Sequence, residues 1–274
     1  MQTSEAPGAG TRIKFTNPPI TELVIGFFHL PLADLRVQHI GIYWDRIRSK
    51  YALCQQQPPI QLPGQTIEPF VQAADEAFPL PRFWFYNNTH PTLIQVQRNA
   101  FLFNWRLLPE LADNAYPHYE TVAADFWQEL DTYKSFVQEV VGGKLDPIQR
   151  CELTYVNLIL PNELFSSAAE FVRVLPPTES LYSIQADDRR IEGVIGTVTF
   201  RVNPILAIDL GFRLGRRADT MEVAIGLELK AHGVPSDLSL EGTRAWFDAA
   251  HDAIYKLFLE ATGKEMQERI WRPQ

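Results

Sequence analysis

The sequence predicts an α+β protein made of two β-α-β4-α units, with an antiparallel curved sheet backed by helices. Three observations carry that expectation. Several segments alternate apolar and polar residues with a period of two, the pattern of a strand with one buried face. Two longer segments place apolar residues at helical spacing, and each closes one half of the chain. The order of elements in residues 15–143 then recurs in residues 144–274, and the two units are expected to pack as one body.

In the first half, Asn17-Pro18-Pro19 precedes a branched and aromatic run, Ile20 to Phe28, which reads as a strand. Asp34 is expected to cap a helix carrying Leu35, Ile40, Tyr43, Ile47 and Tyr51. Gln55 to Pro63 reads as a Pro/Gln loop, and a weakly marked strand is expected from Thr66 to Gln72. Three firmer strands follow: Arg82 to Tyr86, Thr92 to Gln97 and Ala100 to Leu107, separated at Asn87-Asn88 and Arg98-Asn99. In the last of these Phe101, Phe103 and Trp105 lie on one side and Leu102, Asn104 and Arg106 on the other. A long helix after Tyr116-Pro117 aligns Phe126, Leu130, Tyr133, Val137 and Val141, and Gly142-Gly143 stops it.

The second half reads as a strand from Gln149 to Leu160 and a short helix from Asn162 to Val174, with Ser167 and Glu170 at capping-box spacing. Strands are expected at Leu181 to Ala186, Gly193 to Val202, Ile205 to Leu214 and Thr220 to Ala231. A helix from Leu240 to Ala261 closes the half on Phe247, Ala250, Ile254, Leu257 and Phe258. This order of elements resembles the TATA-binding-protein-like topology, in which two repeats form a saddle. The likeness concerns topology and implies no activity.

Composition narrows the function classes. The chain has 274 residues, 46% of them hydrophobic, and 25 basic against 33 acidic side chains give a net charge of −8. Generic nucleic-acid binding, which draws on Lys and Arg releasing counterions from phosphate, is disfavoured. No apolar run approaches the ~20 residues of a membrane-spanning helix, and residues 1–14 lack the apolar stretch of a secretory signal and read as a mobile tail. Two cysteines, Cys54 and Cys151, suggest a reduced, cytoplasmic setting. No nucleotide-binding, metalloprotease or nucleophile-elbow motif occurs, and the six histidines show no paired spacing. No catalytic residue, metal site or cofactor is therefore expected. His29 reads as a hydrogen-bonded imidazole at a strand end, and His118 as an exposed residue at a helix start.

Alternation aims Gln95, Gln97, Asn104, Arg106, Arg201 and Arg213 away from the helices, with Trp84 and Tyr86 beside them. This face reads either as a solvated surface laced with cross-strand charge pairs, each contributing ~0.2–1 kcal/mol, or as a docking surface anchored by Arg106, Arg201 and Arg213. Glu22 and Glu152 hold matching places in the two first strands. They are expected to pair with an arginine, Arg106 or Arg150, to sit exposed, or to act as a carboxylate pair. The aromatic group Phe83-Trp84-Phe85-Tyr86 with Phe101, Phe103 and Trp105 reads as core, or as the lining of a cavity between sheet and helix.

Four short motifs remain: Asn17-Pro18-Pro19-Ile20 with Glu22, Asn104-Trp105-Arg106, Tyr116-Pro117-x-Tyr119, and Tyr155-Val156-Asn157. In that order they resemble a sporadically distributed bacterial family of similar length with no assigned activity. The resemblance implies an accessory role beside other proteins, such as phage defence or a toxin–antitoxin-like system. The leading functional expectation is a non-catalytic protein-binding or scaffold component whose partner is a neighbouring gene product or a second copy. A binder of a small apolar or amphipathic ligand between sheet and helix, and an enzyme of unrecognised type, remain open beside it.

Overall fold

The computed structural model describes residues 14–61, 80–111, 115–184 and 191–274, with backbone alone at 181–184. Among them run nine strands: β1 (Ile20–His29), β2 (Leu53–Gln57), β3 (Arg82–Asn87), β4 (His90–Gln97), β5 (Ala100–Arg106), β6 (Ile148–Ile159), β7 (Val194–Asn203), β8 (Leu206–Arg216) and β9 (Val223–Gly233). They form one open antiparallel sheet in the order β2-β3-β4-β5-β1-β6-β9-β8-β7. The helices are α1 (Val37–Ile47), α2 (Tyr119–Phe136), the short α3 (Phe171–Val174) and α4 (Leu240–Ala261). The class is α+β, as the alternation and the two stripes require. No helix among the described residues is long and apolar enough to cross a membrane.

The two central strands come from different halves of the chain. β1 pairs with β6 through Leu23↔Tyr155 and Ile25↔Leu153, and with β5 through Leu23↔Trp105 and Ile25↔Phe103. These side chains share one face with Leu227 and Leu229 of β9, and all are buried. Onto this face α2 lays Phe126, Leu130 and Tyr133, the expected stripe. The stripe continues through a wider turn at Val137–Val141 until Gly142, at φ 76, ends it. α4 adds Phe247, Ala250 and Ile254. The two helices meet where the Phe126 and Phe247 rings stand edge to face at 5.7 Å. The aromatic group Phe83, Phe85, Phe101, Phe103 and Trp105 is core, each residue nearly or fully buried.

Several local expectations need correction. Leu53–Gln57 is a strand on the sheet edge, not the start of a loop, and the strand expected at Thr66 to Gln72 lies outside the described residues. Where a strand was expected from Leu181, the chain turns helically through Pro176–Ile184. Pro176 and Pro177 lack N–H donors and fix φ near the helical value, which suits a turn and not a ladder. The first helix begins at Val37 and not at Asp34, because the His39 ring accepts a hydrogen bond from the Arg36 backbone N–H at 3.1 Å. The capping-box pair works at a true start: Glu170 accepts from the Ser167 N–H at 3.1 Å just before Ala168.

The face away from the long helices also differs from expectation. Gln95, Gln97 and Asn104 point that way but are 5%, 2% and 3% exposed. The chain after β2 folds back onto Gln97, which exchanges two hydrogen bonds with the Ile60 backbone at 2.9 and 3.1 Å, while Gln95 and Asn104 are held among Arg82, Trp84 and Glu22. Alternation identifies the face but cannot say which other part of the chain covers it.

His29, at the end of β1, is fully buried. Its Nδ1 meets the Leu30 carbonyl at 2.7 Å, so Nδ1 carries the proton and donates, and Nε2 is buried with no partner. Burial lowers its pKa from 6.5 to about 4. The native state therefore keeps a neutral ring while the unfolded chain takes up a proton below 6.5. This group's full contribution to stability is present above that value and is lost as the pH falls towards 4. The linkage amounts to roughly 3 kcal/mol. Urea midpoints measured from pH 7 to 4 are expected to fall more steeply in the wild type than in His29→Gln. Phe126→Ala is expected to cost about 3–5 kcal/mol in the same assay, the range for emptying a buried aromatic site.

Candidate functional site

Prolines 18 and 19 end β1 at its start, since a proline in a central strand would break a ladder hydrogen bond. The pairing with β6 is irregular there, between Ile20 and Glu22. β6 runs on past this point, and the space between the sheet and the two long helices opens into a pocket of about 280 Å³. Its floor is buried and comes from Phe15, Tyr119, Tyr155, Asn157, Leu229 and Ile254. Pro18, Pro19, Tyr116, His118, His251, Tyr255 and Phe258 form half-buried walls, and Lys14 and Glu120 stand exposed at the mouth.

A chain of polar tips crosses this apolar space. The Tyr116 hydroxyl donates to the Tyr155 oxygen at 3.3 Å, and Tyr155 lies 2.8 Å from Nδ1 of His251. With its oxygen accepting from Tyr116, Tyr155 directs its own hydrogen to Nδ1, which leaves the ring proton on Nε2. Tyr119, the first residue of α2, stacks on the His251 ring at 4.2 Å and donates from its hydroxyl to Asp248 Oδ1 at 3.0 Å. The cluster thus ties α2 to α4. Burial pushes the pKa values of Tyr116 and Tyr155 well above the usual phenol value, so both stay protonated.

Two features brace the walls. His118 sits at φ 68, ψ 160, a region nearly reserved for glycine, immediately before α2. Residues 14–16 also pair with residues 272–274 beside the pocket. Thr16 N–H donates to the Arg272 carbonyl at 2.8 Å, and Gln274 N–H to that of Lys14 at 2.7 Å. This strap holds the Phe15 ring against Phe258 and Trp271 at 6.3 and 6.0 Å.

Comparison of the chain with protein-family models, with curated proteins and with solved structures gave no match.

The residues singled out from the sequence lie on the other face, and the structure gathers some of them. Asn104 Nδ2 donates to Glu22 Oε1 at 2.6 Å, Gln95 Nε2 to Asn104 Oδ1 at 2.7 Å, and Trp84 Nε1 to Gln95 Oε1 at 2.9 Å. Arg106 stands across from Glu22 in the β1–β5 register, and its guanidinium lies 5.8 Å from the Tyr86 ring centre. Burial raises the Glu22 pKa against the opposing effects of Asn104 and Arg106, and Glu228 adds to the rise. Glu152 is paired separately, with Arg150 at 2.6 Å. Arg201 and Arg213 are exposed on β7 and β8. Four strand spacings, about 19 Å, separate β8 from the β5 strand of Arg106. The three arginines do not form one cluster. Cys151 is buried and its thiol is pushed up by burial, which makes it inert.

The pocket residues were visible in the sequence only as parts of short motifs. Asn17-Pro18-Pro19-Ile20, Tyr116-Pro117-x-Tyr119 and Tyr155-Val156-Asn157 all contribute to the lining, and Trp105 packs on Tyr116 at 5.3 Å. The available signal was chemical: Tyr155 and Asn157 occupy core-facing positions of β6 where an aliphatic residue would pack without needing a partner. Strain at His118 predicts an inverted substitution order. His118→Gly is expected to be more stable than His118→Ala by about 1–2 kcal/mol in denaturant unfolding, although glycine ordinarily loses such comparisons.

Proposed function

We propose that the protein binds a small, largely apolar molecule in the pocket between the sheet and the two long helices. The observation that carries this reading is an apolar space of about 280 Å³ crossed by the Tyr116–Tyr155–His251 chain. A core built only for stability would fill such a space with aliphatic side chains. Its volume lies at the lower edge of small-molecule sites, ~300–1,000 Å³, and well above the ~150 Å³ engineered cavity that takes up benzene. A ligand of one or two rings, or a ring with a short chain, fits that size.

A role in docking another protein has separate support on the far edge of the sheet. β7 closes the sheet and exposes Ile195, Val198, Phe200 and Val202, whereas the opposite edge strand carries Gln55, Gln56 and Gln57. Unpaired backbone and apolar side chains on one edge favour association. This reading keeps an accessory, protein-bound role beside ligand binding.

The strand order supports descent of the two halves from one duplicated unit with a saddle-like arrangement. Outward from the seam each half lays its first strand beside the last strand of its meander, β1-β5-β4-β3 and β6-β9-β8-β7, and Glu22 and Glu152 hold matching places 130 residues apart. By the same offset Asn157 corresponds to Phe27, a buried ring, so the duplication does not repeat this part of the pocket floor.

The test is a probe and a plug. Indole at about ten times its Kd is expected to raise Tm by about 2–4 °C. Ile254→Trp, which projects a larger ring into the floor, is expected to fold and to show no such rise. An equal rise in both proteins would place the binding elsewhere.

A further inference from the structure

We infer that the pocket selects a neutral aromatic molecule bearing an N–H or O–H donor, which Asn157 accepts. The inference rests on the proposed pocket function and adds the chemistry of its ligand. Asn157 lies on β6 two residues beyond Tyr155, on the core-facing side, and is 2% exposed. Its Nδ2 donates to the Leu227 carbonyl at 3.0 Å. That bond fixes the amide and leaves Oδ1 as an acceptor with no hydrogen bond among the described residues. Asn157 lines the pocket, and a ligand that strips water from this oxygen without donating in return leaves an acceptor unpaired.

Three hydroxyls of the lining already have acceptors. The Tyr116 hydrogen is engaged by Tyr155, the Tyr155 hydrogen by His251, and the Tyr119 hydrogen by Asp248. A carboxylate or phosphate brought to the Asn157 end of this floor would lose its hydration and face an acceptor oxygen. The same burial that keeps Tyr116 and Tyr155 protonated also disfavours a charge on the ligand. Ring-bearing walls, from Phe15, Tyr116, Tyr255 and Phe258 among others, suit a flat apolar body. Size, ring lining and a lone acceptor together describe a fused or single aromatic ring with one polar hydrogen.

Two pairs of probes separate the donor from the ring. Indole is expected to bind the full-length protein at least about tenfold more tightly than 1-methylindole by calorimetry, and 2-naphthol more tightly than naphthalene by a similar factor. Indole-3-carboxylate is expected to bind more weakly than indole. Asn157→Leu is expected to bind both members of each pair with equal affinity. If that variant fails to fold, the wild-type ratios alone decide. Equal affinities within both wild-type pairs, or tighter binding of the carboxylate, would overturn the donor requirement while leaving the pocket intact. Failure of all five probes to bind would overturn the pocket reading itself.

Discussion

The antiparallel pairing of β1 with β6 is the constraint on which the molecule depends. It is the seam between the two halves of the chain, and it turns two short meanders into one sheet. Its register sets Leu23 against Tyr155 and Ile25 against Leu153, which sends both to the helix face. A slip of one residue would reverse every side chain on the strand and carry the core residues to the opposite face. The same register places Asn157 beside Ile20, where the prolines before β1 end the ladder. The opening of the pocket follows from the way this seam terminates.

The two faces of the sheet solve different problems. On the helix face, aromatic and aliphatic side chains pack until the space near the start of β1, where hydroxyl, imidazole and amide groups replace them. On the other face of the first half, Trp84, Gln95, Asn104 and Glu22 form a hydrogen-bonded ladder across four strands. The second half has a counterpart. Arg150 holds Glu152, which pairs across the strands with His232, and His232 lies 3.3 Å from Asp209. Asp209 in turn accepts from Thr199 at 2.7 Å. Such ladders satisfy buried polar groups in place and need no ligand. The pocket differs because Asn157 Oδ1, on its lining, accepts no hydrogen bond among the described residues.

Polar groups in a packed interior cost stability, and the site concentrates several of them. Tyr119, Tyr155 and Asn157 sit where leucine would pack without a partner, and His118 adds backbone strain at the wall. The rigid elements around them hold these groups in place: α2 and α4 are joined through Tyr119, His251 and Asp248, and the pairing of residues 14–16 with 272–274 fixes Phe15. A site braced from four sides loses little freedom when a ligand arrives, which favours binding over adaptability.

The sequence by itself determined the α+β class, eight of the nine strand positions and both long helices. Period-two alternation and helical stripes are local consequences of which face is buried, so Phe101, Phe103 and Trp105 or Phe126, Leu130 and Tyr133 announce themselves. It also marked Glu22 and Glu152 as carboxylates within apolar strands, without deciding between an arginine partner, exposure and a carboxylate pair. It could not show that Gln95, Gln97 and Asn104 are covered, since that depends on side chains of neighbouring strands and, for Gln97, on a segment more than 30 residues away in the chain. Nor could it assemble the pocket. Lys14, Tyr116, Tyr155 and His251 come from four separate parts of the chain, and no local period relates them. Only the pairing of β1 with β6 and the crossing of α2 and α4 bring them together, because a site made of long-range contacts exists only once the chain has folded.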